Sequence, residues 1–106
     1  MSVNINTSAK AETTAGAARF PLGRLFLTPG AIAALEESGQ QPFDFLRRHQ
    51  SGDWGDLGKE DKRENEFSVT RALRILSKYH TAKGDALYVI TESDRSTTTI
   101  LKPEEY

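Results

Sequence analysis

The chain has no cysteine among its 106 residues. That removes disulfides, zinc ribbons and thiol nucleophiles together, and it suits a reducing compartment. No apolar run approaches the roughly 18 residues a membrane-spanning helix needs. An excess of one charge is missing too: 14 Lys and Arg stand against 15 Asp and Glu, a formal net charge of −1. No global basic field therefore speaks for nucleic acid, and no acidic field speaks against it. The sequence lacks a G-x-x-x-x-G-K-[ST] loop, a G-x-G-x-x-G fingerprint, a G-x-S-x-G elbow and an H-x-E with downstream cysteines. P-loop hydrolysis, hydride transfer on a dinucleotide fold, serine-hydrolase chemistry and zinc deamination thus lack their usual parts. No cofactor is expected and no catalytic residue is assigned.

What is present has an ordinary globular composition, 37% hydrophobic and 27% charged, enough for one small domain near the lower size limit for an independent core. The opening stretch, MSVNINTSAKAETTAGAARF, has no apolar segment of the secretory kind. Its Ser, Thr, Asn and Ala content buries too little surface to offset the entropy of ordering it. Residues 1 to 18 are expected to be a flexible tail and residues 19 to 106 a single domain, in the cytoplasm.

Along that domain, RFPLGRLFLT reads as a short strand with Leu25 and Leu27 on one face and Arg24 and Phe26 on the other. Pro21 marks it as an edge or an entry point. Thr28-Pro29 starts a helix, with Thr28 as cap and Ile32 and Leu35 facing inward, and Gly39 sits where a helix end wants positive φ. Pro42 opens a second helix whose buried stripe is expected at Phe43 and Leu46. GDWGDLG is a turn region anchored by Trp54. KEDKRENEFSVTRAL is helical by propensity, with Leu57, Phe67, Val69 and Leu73 its only apolar anchors nearby and Glu60–Arg63 and Lys62–Glu66 its expected exposed pairs. Three β-rich runs follow, RILSKYHT (74–81), DALYVITE (85–92) and TTTILK (97–102), joined by short turns. Asp94 is placed to form an Asx-turn with the backbone near Ser96. The expected fold is α+β: a short N-terminal strand and two to three helices packed on a C-terminal three-stranded antiparallel meander.

Four groups of residues could carry function. His49, Asp53 and Asp56, with Asp61 beyond, offer nitrogen and carboxylate oxygen, the donor types of a divalent metal. No calcium loop or H-x-x-x-H pair accompanies them, and as structural residues they would be turn formers, caps and a helix-ending histidine. No metal site is assigned. The second group is a sheet stripe of Arg74, Leu76, Lys78 and His80, with Arg95 in the next turn and Ser96 to Thr99 after it. Cations, a histidine that titrates near neutrality and hydroxyls, Thr98 among them, are the inventory of a small metal-independent ribonuclease or an anion-binding surface. They are equally the inventory of a solvated outer sheet face. Trp54 reads as an interface anchor or, more simply, as core. The ending PEEY, with Tyr106, is either a linear binding motif or a tail that folds back over the sheet edge.

Three stretches taken together, RRHQSGDWGDL, RILSKYHT and VITESDRSTTTILKPEEY, resemble a family of small uncharacterised bacterial proteins carried on plasmids and other mobile elements. Some members of that family are labelled as associated with type I restriction–modification. The resemblance spans Leu22 to Tyr106, and it departs at Lys102, where the family is apolar before Pro-Glu-Glu-Tyr. It implies an accessory protein in bacterial cytoplasm, in element maintenance or in defence and counter-defence, and it carries no catalytic residue with it. The resulting expectation is a non-enzymatic interaction protein that binds a protein partner through the polar sheet face and the C-terminal tail. The alternative is a small ribonuclease or RNA-binding domain using Lys78, His80 and Arg95.

Overall fold

The structure, a computed structural model, describes residues 17–106. All but the last two residues of the expected tail lie outside the described residues. The chain runs β1 (Arg24–Leu27), α1 (Pro29–Ser38), α2 (Pro42–Ser51), α3 (Lys59–Arg71), β2 (Ile75–His80), β3 (Ala86–Thr91) and β4 (Thr97–Leu101). A single 3₁₀ turn, Pro103–Glu105, follows.

The antiparallel meander of β2, β3 and β4 is present, with Ser77 opposite Val89 and Val89 opposite Ile100. The first strand, however, does not stand apart from it. The sheet has four strands in the order β1-β4-β3-β2, and β1 runs parallel to β4. The expected three-stranded antiparallel sheet is corrected here to a mixed four-stranded one that takes in the N-terminal strand. Leu25 and Leu27 must bury the same face as Ile100, and lying beside β4 with Leu27 opposite Ile100 achieves that. The three helices then carry the chain across to the far edge, where β2 begins.

The core lies on one side of the sheet. Leu25, Leu27, Tyr79, Leu87, Val89 and Ile100 face Ala31, Ala34 and Leu35 of α1 and Phe45 and Leu46 of α2. Thr28 caps α1 by accepting the Ala31 N–H at 3.2 Å. Gly39 ends the helix at φ 69°. Leu35 is buried as expected, whereas Ile32 is only partly so and the alanines take the closest approach. In α2 the buried stripe is Phe45, Leu46 and His49 rather than Phe43 and Leu46. Phe45 packs on Tyr79 with ring centroids 5.5 Å apart, and Phe43 is rotated outward.

Helix α3 buries polar residues, Asn65 and Ser68, and leaves Phe67 exposed; Leu73, just beyond its end, is exposed too. It lies along the β2 edge, where backbone groups need partners more than side chains need apolar cover. Asn65 accepts the Leu76 N–H at 3.2 Å and donates to the Leu76 carbonyl at 2.8 Å. Further along, Lys78 donates its N–H to the Trp54 carbonyl at 3.2 Å and accepts from the Asp56 N–H at 2.6 Å. Gly55 sits between those two at φ 77°, and a Cβ there would run into the Lys78 carbonyl. Glu66 pairs with Arg19 at 2.8 Å and accepts the Trp54 indole N–H at 3.0 Å instead of pairing with Lys62.

Candidate functional site

The strand registers put Arg24 and Phe26 of β1, Thr97, Thr99 and Leu101 of β4, Tyr88 and Ile90 of β3, and Leu76, Lys78 and His80 of β2 on the face away from the helices. Alternation along each strand dictates this once the other set is buried. The face is less polar than its charged residues suggest. Ile90 and Leu101 are buried although no helix covers them.

The cover over part of this face comes from the chain's last residues. Tyr106 meets Tyr88 edge-on, with centroids 5.8 Å apart. Its hydroxyl accepts from the Arg74 guanidinium at 2.6 Å, and Arg74 also reaches Glu92 at 3.5 Å. Tyr106 remains 64% exposed, so one side of its ring is open. Glu105 fixes the turn that delivers it: the carboxylate accepts from the Thr28 hydroxyl at 2.6 Å, from the Lys102 N–H at 2.8 Å and from the Gly30 N–H at 2.9 Å. Burial works against the charge on Glu105, but these hydrogen bonds outweigh it and hold the carboxyl below its ordinary range. The tail and the sheet face are thus one surface.

The basic side chains of that surface mostly stand beside carboxylates. His80 lies 2.8 Å from Asp56 and Lys102 lies 3.3 Å from Glu104. Arg24 sits over the Phe26 ring with its Cζ 5.6 Å from the centroid.

The residues singled out in the sequence divide accordingly. Lys78, His80 and Tyr106 lie on the outer face. Arg95 does not join them. Its guanidinium donates to the carbonyls of Leu73 at 2.7 Å, Ser68 at 3.0 Å, Glu92 at 3.1 Å and Ser93 at 3.4 Å, tying the end of α3 to the β3–β4 turn. Leu73 precedes β2 and His80 ends it, so Arg95 and His80 are separated by about 20 Å along the strand. The Asx-turn at Asp94 forms, with its carboxylate accepting from the Ser96 N–H at 3.0 Å. Trp54 is buried between Phe20 and His49. Thr98 is fully buried on the helix side.

Thr98 belongs to a chain of buried hydrogen bonds that also contains His49. The Thr98 hydroxyl donates to the Leu22 carbonyl at 2.7 Å, so it accepts from Thr91, also at 2.7 Å. With the Thr91 proton so engaged, His49 Nε2–H must donate to Thr91 at 2.9 Å, and Nδ1 must accept from Ser77 at 2.7 Å. One tautomer of neutral histidine satisfies every member. Burial, reinforced by the Arg95 charge, lowers the His49 pKa from 6.5 to about 3. Both ring nitrogens are therefore committed inside the core. Asp53 pairs with Arg48 at 2.7 Å and Asp56 with His80, so His49, Asp53 and Asp56 do not converge.

No family model, curated protein or solved structure matches the chain. Among the described residues, no helix is long and apolar enough to cross a membrane.

Sequence reasoning missed Phe26 and Tyr88 as parts of the outer surface and Glu105 as its latch. Alternation in RLFL and ALYVIT placed the two aromatics opposite the leucines, so that signal was available. The Glu105–Thr28 contact spans 77 positions and left none.

Proposed function

We propose that this is a non-enzymatic partner-binding domain whose contact surface is the outer sheet face together with Tyr106. The observation that carries the reading is the seating of Tyr106 against Tyr88 and Arg74, which joins a half-open aromatic ring to a sheet face bearing Phe26 and Leu76. Aromatic residues flanked by arginine are the groups that dominate protein–protein hot spots. Carboxylates stand beside His80, Arg74 and Lys102 and would repel a polyanion there, which favours a protein partner. The ribonuclease reading loses support because Arg95 is spent on backbone carbonyls and stands at the opposite end of β2 from His80. On the family resemblance, the partner would be a host or defence protein met by a bacterial mobile element.

The test is affinity capture from the native bacterium with the full chain and with a Tyr88→Arg variant, identifying both protein and nucleic acid. One protein captured at fixed stoichiometry by the full chain and lost with Tyr88→Arg is the expected result. Capture that Tyr88→Arg leaves unchanged, or capture of RNA alone, would overturn the reading.

A further inference from the structure

Helix α3 is amphipathic in the wrong sense for a helix whose outer side meets only water. Its inward residues, Asn65 and Ser68, are polar, while Phe67 is 52% exposed and Leu73, just past its end, is 47% exposed. The chain leaves the helix through Ala72 at φ 55°, and the Leu73 N–H returns to the Ser68 carbonyl at 3.1 Å. A helix end of this kind brings the residue after the cap back beside the last turn, here Leu73 beside Phe67. Positive φ is uncommon outside glycine and persists where the surroundings enforce it. Arg95 does so here, donating to the Ser68 carbonyl at 3.0 Å and the Leu73 carbonyl at 2.7 Å, one on each side of Ala72. The exposed apolar pair thus sits on a fixed piece of backbone.

Two arginines flank it. Arg63, Phe67 and Arg71 follow one another at four-residue steps, a single row along the exposed side of α3. The Arg71 guanidinium lies over the Phe67 ring with its Cζ 4.5 Å from the centroid. Stacking of this kind orients the guanidinium plane and leaves its N–H fork available to an acceptor. Among the described residues, the ion pairs include neither Arg63 nor Arg71, and Glu64 in the adjoining row pairs with neither. We propose that this patch docks an acidic segment of a protein, one that sets a large apolar side chain against Phe67 and Leu73 and carboxylates against Arg63 and Arg71. The guanidinium fork matches a carboxylate, and an aromatic ring beside arginine is the composition of an interface anchor. A nucleic acid fits less well. Its phosphate chain would have to pass Glu60, Asp61 and Glu64, which α3 also exposes, and would leave Leu73 unused. The patch lies on α3 and not on the outer sheet face, so this inference stands independently of the partner-binding reading.

Selection of random twelve-residue peptides on the immobilised full chain tests it, followed by fluorescence anisotropy with a labelled copy of the selected sequence. The selected peptides should carry Asp or Glu on either side of Leu, Phe or Trp. Their binding should weaken about 10-fold in Phe67→Ser and at least as much in the double variant Arg63→Glu, Arg71→Glu. The double variant should in turn prefer the same peptide with Lys in place of its acidic residues, which also shows that it folds. Tyr88→Arg, on the outer sheet face, should bind the acidic peptide as the full chain does. A selection that yields no acidic peptide overturns the proposal, as do peptides that Phe67→Ser and the double variant bind unchanged. Single-stranded RNA that binds the full chain and is lost in the double variant, with no acidic peptide selected, overturns it in favour of a polyanion.

Discussion

Lowering the pH from about 7 to about 5 should destabilise the domain chiefly through one side chain, His49. The folded residue takes up a proton only near pH 3, whereas its ordinary value is 6.5. Between those values the unfolded chain binds more protons than the folded one, so stability is complete above about 6.5 and falls as the pH drops. The slope is about 1.4 kcal/mol per pH unit, giving a loss of roughly 2 kcal/mol at pH 5. Against the 5–15 kcal/mol typical of a whole domain, that is a large fraction. Asp53 and Glu66, held low by Arg48 and Arg19 respectively, lose their contribution only below the ordinary carboxylate range, so a window above pH 5 isolates the histidine. The structural event is specific: a proton on Nδ1 meets the Ser77 hydroxyl, which must turn its own hydrogen away from a partner it cannot replace inside the core. Urea unfolding at a series of pH values would measure the slope. His49→Gln, neutral throughout, should start less stable at pH 7 but stay level down to pH 5. A wild-type profile that is flat from pH 6.5 to 5, or a His49→Gln profile that keeps the slope, would refute the reasoning.

Two further outcomes follow from the polar staples. Asn65→Leu keeps the helix but strips the N–H and carbonyl of Leu76 of their partners, and should cost roughly 2 kcal/mol by urea unfolding; an unchanged midpoint would mean that water satisfies that edge equally well. Arg95→Met removes a donor from the Leu73 and Ser68 carbonyls and should speed amide exchange at the end of α3 and in the β3–β4 turn, with α1 and α2 unaffected.

Much of the fold was legible because it is written locally. Thr28-Pro29, Gly39 and the Asp94 turn act over a few residues, and the meander needs only short links. The pairing of β1 was not legible, since Leu27 meets Ile100 across most of the chain and either edge would have buried its leucines. Phe43 and Phe45 were interchangeable by periodicity until the position of Tyr79 chose between them. His49 read as a metal donor or a helix-ending residue and Thr98 as one of the outer-face hydroxyls, because their buried polar chain with Ser77 and Thr91 is built from four separate segments, none of which signals the others. For the site, alternation fixed which strand residues share a face, but Arg95 looked free because carbonyl partners leave no mark in a sequence.

The parallel pairing of β1 with β4, latched by Glu105 on Thr28, sets an order on how the protein is made. A chain emerging from the ribosome can form α1 and α2 early, yet Leu25 and Leu27 have no strand to join until Thr97 to Leu101 have been synthesised. Closure between positions so far apart is slow compared with local turns. Throughout that interval the apolar first strand is exposed with a bare edge, which is when a nascent chain is most open to capture by a chaperone or by a neighbour of its own kind.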